Sequence, residues 1–159
     1  MFTETWRALE FLYSKGYVKA IGVSNFLQPH LEELMQAAQI TPMVNQMEFH
    51  PWLVQQPLLD FCKTKHIQYE AWSPLTRGKI FADETIVMLS EKYGKTPAQI
   101  LLRWDLQKGV ITIPKSVKKD RIFSNAQIFD FVISPEDMTT IDALDQNKRT
   151  GPDPDNFDF

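Results

Sequence analysis

Four short apolar runs, set between stretches of helical periodicity, constrain this chain more than any other feature. They occupy residues 17–23 (YVKAIGV), 43–47 (MVNQM), 67–72 (IQYEAW) and 110–113 (VITI). The first of them is short, β-branched and mostly apolar, which suits a buried parallel strand, and the other three are equally short. The segments between them place apolar residues at helical spacing. Trp6, Leu9 and Tyr13 share a face in residues 4–14, Leu31, Leu34 and Met35 in residues 29–38, and Leu58, Leu59 and Phe61 in residues 57–63. Further helices are expected over 85–93, 98–107 and 135–144. Thr96-Pro97 and Ser134-Pro135 supply a capping hydroxyl followed by a first-turn proline. Alternating strands and helices predict an α/β fold of about four parallel β/α units with right-handed crossovers, closed by C-terminal helices and an extended tail over residues 145–159.

At 159 residues the chain is expected to form a single domain over 1–159. A closed eight-stranded α/β barrel needs about 250 residues. Net charge is −3, which argues against a general nucleic-acid surface while leaving room for a local basic patch. No apolar run approaches the roughly 20 residues of a membrane span, and residues 1–6 lack the features of a signal peptide. Together with a lone cysteine, Cys62, this predicts a cytoplasmic protein without membrane association.

Ligands of parallel α/β folds gather beyond the carboxyl ends of the strands, so each strand end is a candidate site. Here the ends carry Ser24-Asn25, then Asn45-Gln46 with Glu48 and His50, then Trp72-Ser73, then Lys115-Ser116 followed by Lys118, Lys119 and Arg121. Amides and hydroxyls can hold an amide-bearing ring, an indole offers a stacking face, and clustered cations take a phosphate. The four ends describe a nucleotide-shaped groove. Each alone has a plainer reading: Ser24-Asn25 as a strand-to-helix turn, Trp72 as a core or rim aromatic, the cations as a solvated helix start, and His50 as a packed structural histidine. Asp153 and Asp155 in the tail read as a solvated pair. No phosphate-binding glycine loop, metal-ligand spacing or G-x-S-x-G turn is present, so no metal site or serine hydrolase is expected.

The motifs GYVKAIGVSNF (16–26), VNQMEFHPWL (44–53), AWSPL (71–75), GKTPAQILLRW (94–104), IPKSVKKDRIFSN (113–125) and RTGPDPDNFDF (149–159) resemble the carboxyl-terminal half of an aldo-keto reductase. The tail is similar to that of bacterial diketogluconate and glyoxal reductase-like members. The resemblance implies a (β/α)8 TIM-barrel family fold, here its C-terminal half-barrel, and NADPH-dependent reduction of a small carbonyl substrate. By the same resemblance Ser24, Asn25 and Gln46 hold the nicotinamide carboxamide and Trp72 stacks on its ring. Ser73 and Leu75 line the pyrophosphate path, Lys115, Ser116, Val117 and Arg121 bind the 2′-phosphate, and Asn125 meets the adenine. Trp52, Arg77 and the tail 149–159 are this half's contribution to the substrate pocket. The family's Asp, Tyr, Lys and His belong to the amino-terminal half, and none of Tyr13, Tyr17, Tyr69 or Tyr93 stands in the corresponding motif, so no catalytic residue is assigned. Thr76 stands where the family usually has glycine, which is expected to stiffen the loop. Ser124 stands where the family commonly has an acidic or amide residue near the adenine, which is expected to weaken the adenine contact. The alternative is a non-catalytic half-barrel that binds nucleotide or self-associates through unpaired strand edges at 18–23 and 110–113.

Overall fold

The computed structural model describes residues 2–156; residues 1 and 157–159, the last of the expected tail, lie outside the described residues. Helix α1 (Phe2–Ser14) is followed by β1 (Gly22–Ser24), α2 (Gln28–Ala37), β2 (Val44–Glu48), α3 (Gln56–Thr64) and β3 (Gln68–Trp72). A 3₁₀ segment (Thr76–Ala82) leads to α4 (Glu84–Tyr93), α5 (Pro97–Gln107), β4 (Ile111–Thr112), α6 (Lys119–Ala126) and α7 (Pro135–Asp142). The strands lie in chain order, β1-β2-β3-β4, in one sheet. Strands β1 and β2 run parallel with Gly22 opposite Val44 and Ser24 opposite Gln46. Gly22 is obligatory there, because a Cβ would stand 2.6 Å from the Val44 carbonyl oxygen.

By its internal contacts the chain divides into two compact units. The first comprises residues up to Met47, Gln56–Glu70 and those from Asp153 on. Trp6, Ile21 and Leu34 form its core, with Leu9, Tyr13 and Phe26 packed around them. Glu10 is also buried, and its Oε1 accepts from Gln39 N at 2.7 Å and Ile40 N at 2.8 Å. That carboxylate satisfies two donors in the turn after α2, so the buried acid stabilises the unit.

The second unit, Glu48–Gln55 with Ala71–Pro152, is built around α5. Ile100, Leu101, Leu102 and Trp104 are fully buried, and Phe49 stacks on Trp104 with ring centroids 4.9 Å apart. The capping signals act as expected: Thr96 Oγ1 accepts from Gln99 N, and Gln99 Oε1 accepts from Thr96 N. Gln99 Nε2 then donates to Ser124 O and Gln127 O, which ties α6 to α5. Ser134 caps α7, and Asp137 in its first turn accepts from Lys92 Nζ at 2.7 Å and Tyr93 Oη at 2.5 Å. These two donors hold the Asp137 carboxyl below the usual carboxylate range.

Two expected strands are shorter than the apolar runs suggest. Residues 17–21 are not strand: Gly16 takes φ 73°, and Gly16 N and Tyr17 N donate back to Tyr13 O and Leu12 O, closing α1. Val110 likewise donates to Asp105 O as part of the turn that ends α5 through Gly109 at φ 76°, leaving two residues of β4. Both strands terminate the sheet, so only one side of each is held by a ladder. The expected loop at Gly78 is a kinked 3₁₀ segment, with Arg77 and Gly78 at φ 55° and 84°.

Candidate functional site

In the first unit Ser24, Asn25 and Gln46 come together at the adjacent ends of β1 and β2. Ser24 Oγ donates to Gln46 O at 3.1 Å, and Asn25 N donates to the same carbonyl at 2.9 Å. Asn25 adopts φ 60°, a left-handed conformation asparagine tolerates better than most residues, and this turn leaves both side chains exposed. Gln46 Nε2 donates to Glu70 Oε1 on β3. Glu70 was not among the sequence candidates; it orients the Gln46 amide and leaves Gln46 Oε1 as the acceptor. Asn45, pointing the other way, donates to Phe26 O at 2.8 Å and so ties β2 to the β1–α2 loop. The tail residue Asp155, expected to be solvated, lies 3.3 Å from His30 Nε2, while His30 Nδ1 accepts the Leu27 N–H at the start of α2.

In the second unit a cavity of about 390 Å³ gathers Leu75, Lys115, Ser116, Arg121 and Asn125, five of the eleven candidate residues. Its wall is completed by the 3₁₀ segment and by the N-terminus of α5, Thr96–Ala98. Lys115 and Arg121 are exposed and form no ion pair among the described residues, so their charge faces whatever enters. Ser116 Oγ accepts from Lys118 N at 3.1 Å, fixing the turn that leads into α6. Arg77, which the resemblance assigns to the substrate pocket, lines this cavity beside Lys115 and Arg121, as does Ser124. Arg77 takes a left-handed backbone, at φ 55°, a conformation that no periodicity signals in a non-glycine residue. Thr76, at the position where the family usually has glycine, also takes positive φ, at 47°. It is fully buried and its Oγ1 accepts from Ile80 N at 3.1 Å, which holds the segment in shape. Trp72 and Ser73 are half-buried and Val117 is 81% exposed; none of the three lines the cavity.

Also in the second unit, Glu48 and His50 are fully buried and joined by a 3.0 Å hydrogen bond. The plain structural reading of His50 holds. Burial opposes the charged form of Glu48, but hydrogen bonds from His50, Thr150 and Gly151 overcome it and bring its pKa down to about 2. Asp105 is the opposite case. It is buried on α5, where neither carboxyl oxygen reaches good hydrogen-bond geometry among the described residues, and burial pushes its pKa well above its ordinary value, the Thr112 hydroxyl offsetting only part. Among the described residues no three His, Cys, Asp or Glu side chains converge as a metal site, and no helix is long and apolar enough to cross a membrane.

A family model described as aldo/keto reductase family matches residues 2–146. An uncharacterized oxidoreductase, YtbE, and a glyoxal reductase, both of Bacillus subtilis, are each 56% identical over 158 residues, 99% of this chain. Methylglyoxal reductase DkgA of Escherichia coli is 44% identical over 158 residues, or 98% of the chain. The solved structure of Gox0644 in its apo form superposes with a TM-score of 0.96 at 44% identity, covering 99% of this chain and 59% of that one. A Gox0644 variant in complex with NADPH superposes with a TM-score of 0.95, again at 44% identity, covering 99% and 58%. This chain therefore belongs to the aldo/keto reductase family of oxidoreductases, and its parallel β/α units are those of a partial TIM barrel. It spans 56% of the length of YtbE, 57% of the glyoxal reductase and 58% of DkgA.

Proposed function

We propose that the chain is the C-terminal half of an NADPH-dependent reductase that converts a small aldehyde or ketone to an alcohol in the cytoplasm. In this reading its 159 residues act as one cofactor-binding domain. The cavity walled by Lys115, Ser116, Arg121 and Asn125 carries the reading, because two cations without a carboxylate partner match a phosphate dianion on a ribose. The donor set fits the group: Lys115 contributes a point charge, Arg121 a forked pair of donors, and Asn125 an amide that can meet a purine edge. NADPH, when bound, supplies the hydride.

The remaining work belongs to this chain's own side chains. Ser24, Asn25 and Gln46 would hold the carboxamide, with Gln46 accepting through Oε1 since Glu70 occupies its Nε2. Trp72 would offer its ring face, Ser73 and Leu75 would flank the pyrophosphate, and Val117 would join Lys115, Ser116 and Arg121 at the 2′-phosphate. No residue here is assigned the proton transfer to the carbonyl oxygen, so the chain binds cofactor without turning substrate over by itself.

Calorimetric titration tests the reading. NADPH should bind at least about tenfold more tightly than NADH, and Lys115→Ala or Arg121→Ala should erase that preference while leaving NADH binding unchanged. Equal affinity for both nucleotides, or no NADPH binding at all, sinks it. A second reading, self-association, rests on the last strand of the sheet: Ile111 of β4 and Phe129 are exposed along an apolar groove, and Ile113, just past β4, is exposed as well. Sedimentation that finds only monomer at high concentration removes it.

A further inference from the structure

Four donors converge on one oxygen of the buried Glu48 carboxylate. Oε1 accepts from Thr150 N at 2.6 Å, from Thr150 Oγ1 at 2.5 Å, from Gly151 N at 3.1 Å and from His50 Nε2 at 3.0 Å. Gly151 N also reaches Oε2 at 3.3 Å. An ionised carboxylate only accepts, so it suits a cluster of N–H and O–H donors, each bond to it being charge-assisted.

The same stretch is laced along the loop that follows Glu48. Trp52 O accepts from Gln146 N at 3.2 Å and Lys148 N at 2.9 Å, and the Lys148 ammonium sits 4.9 Å from the centre of the Trp52 ring. Gln55 Nε2 donates to Glu48 O, while Gln55 Oε1 accepts from Arg149. Residues 146–151 thus form a strap whose tightest attachment is Glu48. The strap ends against an aromatic ring: at Gly151 a Cβ would run into Cη2 and Cζ3 of Trp72, so only backbone fits beside that indole.

We propose that Glu48 is a positioning residue, which locks the strap at Thr150 and Gly151 against the edge of Trp72 and thereby fixes the orientation of that indole. The consequence for a ligand, a preset ring face for nicotinamide, rests on the cofactor reading above. The lock itself does not. It explains why a buried acid and a glycine meet at residues separated by more than a hundred positions in sequence. It also distinguishes Glu48 from an acid that merely fills space, since each of its partners is a donor on the strap or on the His50 that supports it.

The test uses the ligand-free chain labelled with 5-fluorotryptophan, the Trp72 signal being assigned by its loss in Trp72→Phe. Glu48→Gln should shift and broaden the Trp72 fluorine resonance and speed amide exchange at Thr150 and Gly151 by about tenfold or more, while the Trp6 resonance stays in place. Thr150→Val, which removes one donor, should do the same to a smaller degree. It decides the matter if Glu48→Gln does not fold, as a displaced Trp6 signal would show. A Trp72 resonance identical to that of the parent, whether or not the strap amides exchange faster, overturns the proposal. An NADPH titration of the parent chain judges the cofactor reading separately, since the ligand-free spectra settle the lock either way.

Discussion

The second unit contains two concentrations of charge that are handled in opposite ways. At the cavity, Lys115 and Arg121 are exposed and unpaired among the described residues; at the strap, Glu48 is buried and holds donors from Thr150, Gly151 and His50. Charge left facing an open cavity remains available to a ligand, whereas charge saturated by the chain's own donors holds the fold. That difference is what would separate the proposed phosphate site from the proposed anchor.

The largest effect that sharpens this contrast comes from removing the anchor. Glu48→Leu orphans three strap donors and a buried histidine, so unfolding free energy in urea should drop by about 3 kcal/mol or more. The pH dependence has a definite sign. The folded pKa of about 2 lies below the ordinary 4.5, so this stabilisation is complete above 4.5 and fades as the pH falls from there towards 2. Glu48→Leu should lose that portion of the acid transition, and an unchanged profile would break the comparison.

Next in size is the cavity. Lys115→Ala and Arg121→Ala should weaken NADPH binding by roughly tenfold to a hundredfold each, yet move the urea midpoint little, because exposed unpaired cations contribute almost nothing to folding. A large stability loss would mean that these cations hold the fold as Glu48 does.

Asp105 supplies a third contrast, a buried acid that only the Thr112 hydroxyl approaches, without good hydrogen-bond geometry. Its folded pKa is raised, so the folded chain retains a proton that the unfolded chain releases; stability is highest below the ordinary carboxylate value and declines as the pH rises through the elevated one. Asp105→Leu should therefore stabilise the chain at neutral pH by roughly 1–2 kcal/mol and flatten the decline, as thermal unfolding at several pH values would show. The smallest effect is expected at Thr76. Thr76→Gly relieves a β-branched residue at positive φ but discards the bond to Ile80 N, so the net change should stay within about 1 kcal/mol.

The starts of α5 and α7 were legible in the sequence because their caps are local, whereas α6, whose N-cap Lys118 makes no side-chain cap, was not among the helices expected from periodicity and capping. Thr96 with Gln99 and Ser134 with Asp137 satisfy donors three residues away, and the linear pattern contains every participant. Strand lengths at the sheet ends were not, because the apolar runs at 17–23 and 110–113 do not reveal that their outer residues are taken up by the turns closing α1 and α5. The cavity was legible in part. Lys115, Ser116, Arg121 and Asn125 stand close in sequence, whereas Arg77 lines the same cavity from a distant segment whose left-handed backbone no local pattern announces.

By itself the sequence determined the α/β order, the helix caps and the family, since periodicity, capping and motif residues act over a few positions or repeat along the chain. Only the tertiary structure decided what each charge does. Glu48 and Asp105 are both acids beside apolar residues in a linear reading, and what separates them is whether distant N–H and O–H groups arrive at the carboxylate. In a low-dielectric interior that arrival decides whether the charged form is held or suppressed, and it depends on chain segments brought together by packing.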